Sequence, residues 1–223
     1  MSELLMDSVE TLLETAGADP HPVLDEMQSY GVRRGFPTVG PDVGRFLSVL
    51  VRIVDATRVF EFGSGFGYSA AWFSRGLGPD SELHLTDYDE DDLSRAVTYL
   101  DRAGFTGTVH ATPGDAIETF EETEGSFDVV LLDIEKDRYP TAFSRLQHRI
   151  RPGGVLVADN MMGGPVTPDS VLSALDSPST VDGASTGIAR YIETIRESKD
   201  YRTSFLPLGE GIAVSTRTAG PSS

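Results

Sequence analysis

Between residues 58 and 158, short apolar runs alternate five times with segments of helical character, an order that few folds accommodate. Arg58–Phe62 reads as a strand, with a glycine-rich turn after it and a helix over about 68–76. Glu82–Thr86 is a strand followed by a helix over 89–103, and Thr108–Thr112 a strand followed by a short helix over 115–122. Phe127–Leu132 is a nearly continuous apolar run, which suits a strand covered on both faces of its sheet. A helix over 138–150, a turn at Arg151-Pro-Gly-Gly154 and a fifth strand at Val155–Ala158 close the series. Strands joined through helices run parallel, because parallel neighbours need a crossover. Arg202–Leu206 and Ile212–Thr216 then make a hairpin around Gly209-Glu210-Gly211. The expected architecture is a doubly wound, Rossmann-like α/β fold: a mostly parallel seven-stranded sheet with an antiparallel hairpin at its C-terminal edge.

The flanking segments read differently. Residues 3–16 carry Leu5, Val9, Leu12 and Leu13 at helical spacing and stop at Gly17. A short helix over 23–30, a loop over 31–41 and a helix over 42–55 follow. Residues 161–185 are rich in Gly, Pro, Ser and Asp and read as an irregular excursion with a short helix near 169–175, ahead of a helix over 186–198. A disordered tail is expected from Arg217. At 223 residues this is one domain, with an N-terminal helical cap (1–55), an α/β core (56–217) and a tail (218–223).

Doubly wound sheets bind ligands at the carboxyl ends of their strands, and those positions carry the chemistry here. The first strand runs into Glu61-Phe-Gly63-Ser-Gly65-Phe-Gly67-Tyr68-Ser69. Glycines at that place permit a tight turn and close backbone approach to a nucleoside ligand. The G-x-G-x-G spacing is not the G-x-G-x-x-G of dinucleotide binding, and Glu61 would repel a pyrophosphate but accept bonds from an ammonium group. Asp87, at the second strand's end about 20 residues on, suits the two hydroxyls of a ribose. It starts a run of five carboxylates within 87–92, most of which suit a solvated helix start. Asp115 reads either as an acceptor for an adenine amino group or as the N-cap of the next helix. Asp133 ends the fourth strand and Asp159-Asn160 the fifth. If the fourth and fifth strands are neighbours, these three hard oxygen donors converge as the ligand set of Mg²⁺ or a similar divalent ion, although Asp-Asn pairs also make turns.

Charge narrows the partners. Asp+Glu number 35 against 18 Lys+Arg, for a net charge of −17, which disfavours a nucleic-acid partner. The basic set comprises 16 Arg and two Lys, Lys136 and Lys199, a bias that fits work in high salt. Lys136, three residues past Asp133, is therefore conspicuous. With no cysteine, disulfides, thiolate metal sites and a Cys nucleophile are excluded. No apolar run reaches membrane-spanning length, and the acidic start Met1–Glu10 lacks the basic region of a secretory leader, so a cytoplasmic protein is expected.

The segment 59–73, the Asp133-x-x-Lys136-Asp-Arg-Tyr139 run and the Asp159-Asn160 pair together resemble the cation-dependent O-methyltransferases of the catechol and caffeoyl-CoA type. The resemblance runs from about Phe36 to Thr216. It implies the S-adenosylmethionine (SAM) methyltransferase fold, SAM as cofactor and a small hydroxylated acceptor. Val39, Glu61, Gly63 and Ser69 would meet the methionine end, Asp87 the ribose, and Asp115 and Ala116 the adenine edge, with Asp133 bordering both cofactor and metal. Asp133, Asp159 and Asn160 would hold Mg²⁺ or another divalent cation, and Lys136 would be the base. A homodimer is also expected. The rivals are a SAM enzyme acting on nitrogen or RNA, a non-catalytic SAM-binding protein and a nicotinamide dehydrogenase. Glu61 and the glycine spacing count against the dehydrogenase, the acidic surface against RNA, and Lys136 in a Lys-poor chain against a scaffold.

If the charge bias reflects high salt, thermal melting should rise into multimolar KCl, well past the point where ordinary screening saturates, since the Debye length is already about 3 Å at 1 M. A melting temperature that stays flat or falls over that range would reject the halophilic reading.

Overall fold

The computed structural model describes residues 9, 11–13, 15–17, 21–177 and 183–218. The chain forms helices α1 (Pro22–Arg34) and α2 (Gly40–Ile53), then β1 (Arg58–Phe62), α3 (Tyr68–Ser74), β2 (Glu82–Asp87), α4 (Glu90–Arg102) and β3 (Thr108–Pro113). It continues through α5 (Ala116–Glu122), β4 (Phe127–Leu132), a 3₁₀ turn (Lys136–Arg138), α6 (Tyr139–Leu146), β5 (Ile150–Ala158), α7 (Pro168–Asp176), α8 (Gly183–Glu197), β6 (Tyr201–Leu206) and β7 (Ile212–Arg217). The strands make one seven-stranded sheet in the order β3-β2-β1-β4-β5-β7-β6. The first five pair in parallel, and β7 pairs antiparallel with both β5 and β6. The strand order reverses between β1 and β4, which places the ligand crevice of a doubly wound sheet at their carboxyl ends.

Period-two alternation divides the buried strands between two cores. Val59, Leu83, Leu85, Val129, Leu131 and Val157 face one layer, packed by α1 to α4. Phe60, Phe62, Val130, Leu132, Leu156 and Ala158 face the other, packed by α5, α6 and α8. Glu61 falls on the α3 side of β1 by the same alternation, fully buried.

The structure departs from the sequence expectations in several places. The expected loop over 31–41 is helical up to Arg34, because α1 runs through Gly31 and stops only at Gly35, which takes a left-handed conformation with φ 60°. The next helix starts at Gly40 rather than 42. The helix expected over 138–150 ends at Leu146. Arg151-Pro-Gly-Gly154 is part of β5 rather than a turn before it. The register passes from Phe127↔Ile150 to Val129↔Val155, so the four residues bulge out of the ladder without ending the strand. The short helix expected near 169–175 is α7, closed by a reciprocal Thr167/Ser170 capping box, and α8 begins at Gly183 rather than 186. Arg217 lies in β7, paired with Tyr201, so the tail begins later than expected. Residues 219–223 lie outside the described residues, as does part of the expected helix over 3–16, of which residues 9, 11–13, 15 and 16 are helical.

Asp128, the exception in an apolar strand, anchors the amino end of the sheet. Its Oδ2 accepts from the backbone N–H groups of Thr57 and Arg58, both at 2.7 Å, and its Oδ1 pairs with Arg151 in the bulge. Hydrogen bonds from these partners outweigh burial and hold the carboxyl below the usual range. Asp128→Ala would leave two N–H donors and a guanidinium without their acceptor. Chemical denaturation should show a loss of about 3 kcal/mol. A loss below about 1 kcal/mol would mean that water replaces the carboxylate.

Candidate functional site

Two clefts open at the carboxyl end of the sheet, and Asp133 lines both. The first, of about 290 Å³, is bounded by Gly63, Asp87, Tyr88, Ala116, Ile134 and Arg138, among others. The second, of about 500 Å³, is bounded by Pro37, Thr38, Lys136, Asp159, Asn160 and Glu210, among others. The shared wall arises because β1, β4 and β5 are consecutive neighbours, so that Gly63, Asp133 and Asp159 leave the sheet side by side.

The glycine turn allows that crowding. Gly63 has φ 80°, and a Cβ on it would lie 2.2 Å from the Asp133 carbonyl oxygen, a contact that backbone cannot relieve. Behind the turn, Ser69 Oγ donates to Glu61 Oε1. Glu61 Oε2 is buried with no hydrogen-bond partner in the protein. Burial chiefly, with the nearby charges of Asp133 and Asp87, pushes the Glu61 carboxyl up to about 8. A buried carboxyl with one free oxygen suits a cationic ligand group.

Asp87 sits at the end of β2 and holds the turn. Its Oδ2 accepts from Gly65 N at 2.8 Å and its Oδ1 from Asp89 N at 3.0 Å. Ala116 lines the first cleft, but Asp115 does not. Asp115 Oδ1 caps α5 by accepting from Ile117 N and Glu118 N, while its Oδ2 accepts from Tyr88 OH at 2.8 Å and from Arg138 Nη2 at 2.6 Å. Desolvation raises this carboxyl, but those four donors together bring it down to about 2. Both of its oxygens are thus engaged within the protein. Val39, buried at the start of α2, directly follows the cleft residue Thr38.

In the second cleft Lys136 is 7% exposed. Its Nζ donates to Asp133 Oδ1 at 2.7 Å and to the Tyr139 hydroxyl oxygen at 2.9 Å. The Tyr139 hydroxyl in turn donates to Leu132 O at 2.9 Å, with Asp159 O at 3.1 Å. Asp159 Oδ1 is buried and has no partner in the protein. Burial first, then repulsion from Asp133, raises the Asp159 carboxyl to about 7. Asn160 adopts φ 56°, a left-handed conformation that Asn tolerates, and its Nδ2 donates to Glu210 Oε2. An orphaned buried carboxylate oxygen beside a second carboxylate and an amide oxygen is a hard-donor set that fits a divalent cation. The chain leaves β5 through the left-handed Asn160, and both residues of the pair line the cleft shared with Asp133.

Sequence reasoning assigned no role to Tyr139, Arg138 or Glu210. The first two stand in the Lys-Asp-Arg-Tyr run, where Tyr139 follows Asp133 and Lys136 at three-residue spacing and meets Lys136 Nζ, while Arg138 borders the first cleft. Glu210 stands between two glycines of positive φ at the hairpin tip, and no local pattern places that tip against β5.

A family model described as O-methyltransferase matches residues 14–218. A catechol O-methyltransferase of Niastella koreensis is 34% identical over 129 residues, which cover 56% of this chain and 58% of the relative. Caffeoyl-CoA O-methyltransferase 3 of Nicotiana tabacum is 24% identical over 197 residues, covering 81% and 76% of the two chains. The chain thus spans less than two thirds of the length of that catechol O-methyltransferase. Among solved structures, the O-methyltransferase from Bacillus cereus in complex with SAH superposes with TM-score 0.80 at 24% identity, covering 95% and 97% of the chains. The O-methyltransferase TomG from Streptomyces achromogenes, in complex with SAM, gives 0.84 at 23% identity, covering 98% and 100%. With a family match over most of its length and the fold of these structures around the twin clefts, the chain belongs to the O-methyltransferase family.

Proposed function

We propose that the protein is a SAM-dependent, divalent-cation-dependent O-methyltransferase for a small acceptor carrying two adjacent oxygens, such as a catechol-like diol. The observation that carries this reading is Asp133, whose side of the sheet is the common wall of the two clefts. A methyl donor in one and an acceptor oxygen in the other would meet there. SAM supplies a methyl group on a sulfonium. Glu61 Oε2 would take its ammonium group, Asp87 the ribose hydroxyls and Ala116 the adenine edge, with Gly63 giving the close backbone approach and Val39 and Ser69 completing the methionine end. Asp115 would then act through Arg138 and Tyr88, which border the cleft, and not by direct contact.

Asp133, Asp159 and Asn160 would hold the divalent ion, which when bound acidifies a hydroxyl and orients two adjacent oxygens. Lys136 Nζ would take the acceptor proton. To do so it would first have to give up a proton, after which Nζ would still have two N–H donors, one each for Asp133 and Tyr139, and a lone pair for the acceptor. Tyr139, fixed by Leu132 O, holds Nζ in place. The acidic surface favours a small-molecule substrate over nucleic acid. Among the described residues no helix is long and apolar enough to cross a membrane. The same reading has the enzyme working as a cytoplasmic homodimer adapted to high salt.

Two measurements test this. Methyl transfer from labelled SAM to a panel of phenols should require a divalent ion and stop with chelator. Lys136→Arg, which keeps the charge but stays protonated, should lower kcat by roughly 10²–10⁴-fold with SAM affinity unchanged. Wild-type kcat in that variant with a weakly acidic phenol would remove Lys136 as the base.

Glu61 makes a third test. Its carboxyl is ordinary when unfolded, near 4.5, but reaches about 8 when folded. The folded chain therefore holds the extra proton, and stability falls as pH rises from about 4.5 to about 8. Without ligand or metal, Glu61→Gln should match the parent near pH 4.5 and be more stable than it at pH 8, while losing SAM affinity. Parallel stability curves for the two proteins would show that Glu61 is already charged.

A further inference from the structure

Away from the clefts, towards the amino ends of the strands, β2 and β3 bring together three metal-ligating side chains that the proposed methyl transfer does not use. Glu82 and His84 are two apart on β2 and so share a face of the sheet. His110 on β3 lies opposite His84 in the parallel register. The two imidazoles stack with centroids 4.4 Å apart, and His84 Nε2 is 3.1 Å from Glu82 Oε2. One ligand atom from each of the three residues lies within 4.8 Å of the other two. His84 is buried against Phe60 and Phe127, while His110 is exposed on the edge strand. The group is thus walled by aromatic rings on one side and open to solvent on the other. The chain has only four histidines, and two of them meet here.

We propose that Glu82, His84 and His110 form a binding site for a first-row transition ion of the Zn²⁺ type, independent of the hard-oxygen site at Asp133 and Asp159. Two imidazole nitrogens and a carboxylate suit a borderline-soft ion better than Mg²⁺, and leave one position to water. Tetrahedral ligands at about 2.0–2.1 Å stand about 3.4 Å apart, so the three atoms must close in slightly, which the exposed His110 side chain permits. Arg58 is the competitor. Its Nε is 2.8 Å from Glu82 Oε2 and its Nη2 is 3.5 Å from His84 Nε2. It also bonds Glu124 O at 2.9 Å and stacks on Phe127, so it retains partners when the ion takes the carboxylate. A bound ion would clip the edge strand β3 to β2.

The test is calorimetric titration of the full chain with ZnCl₂ in excess Mg²⁺, together with thermal melting with and without Zn²⁺. One equivalent should bind and raise the melting temperature. His110→Gln, a change at an exposed position, should weaken binding at least about tenfold and abolish the thermal shift. Arg58→Gln should tighten binding by removing the competing cation, and Asp159→Asn should leave it unchanged. Equal Zn²⁺ affinity in His110→Gln and the parent, loss of binding in Asp159→Asn, or no binding to the parent would each overturn the proposal.

Discussion

The carboxyl end of this sheet depends on a side chain that is not there. At Gly63 any Cβ would collide with the Asp133 carbonyl, so the exits of β1 and β4 can touch only with glycine at that position. Gly67 does the same one turn later, where a Cβ would fall 2.6 Å from that of Ala96. It lets α3 start tight against α4, and α3 carries Ser69 to Glu61. These two close approaches set the distances between the carboxyls, and the electrostatics of the site follow from them.

Glu61, Asp87, Asp133 and Asp159 crowd the ends of adjacent strands. Such crowding is unfavourable unless cations or donors offset it. Lys136 offsets it at Asp133, and backbone N–H groups do so at Asp87. Glu61 Oε2 and Asp159 Oδ1 are left without a partner, and theirs are the carboxyls driven up, to about 8 and about 7. A site in this condition gains stability from positively charged ligands, which is the physical basis for placing an ammonium group at one carboxyl and a divalent ion at the other.

The strand–helix alternation and the strand-tip acids were legible in the sequence, because buried parallel strands are apolar throughout and sites sit where they end. Less legible were features that depend on distant partners. The Arg151–Gly154 bulge reads locally as a turn, and only Asp128, on the neighbouring strand, shows what holds Arg151 in the bulge. Gly31 reads as a helix end, yet α1 continues past it to Gly35, whose left-handed conformation does end the helix. Asp115 reads equally as ligand or cap. Its second oxygen goes to Tyr88 and Arg138, 27 and 23 residues away, and no local pattern shows that. Glu82, His84 and His110 share a face only because β2 and β3 pair in one particular register.

The position of β7 bears on which spans of the chain each half of the site needs. It is the last of the described strands in chain order, yet it lies inside the sheet, between β5 and β6. Without it, β5 has an open edge. The Met161 and Met162 N–H groups then lack the Gly211 and Glu210 carbonyls that fix the segment after Asp159-Asn160. The first cleft is lined wholly by residues up to Arg138. The second needs Glu210. The two halves of the site therefore draw on different spans of the chain, and the half that holds Asp159 and Asn160 is completed only by the hairpin turn that carries Glu210.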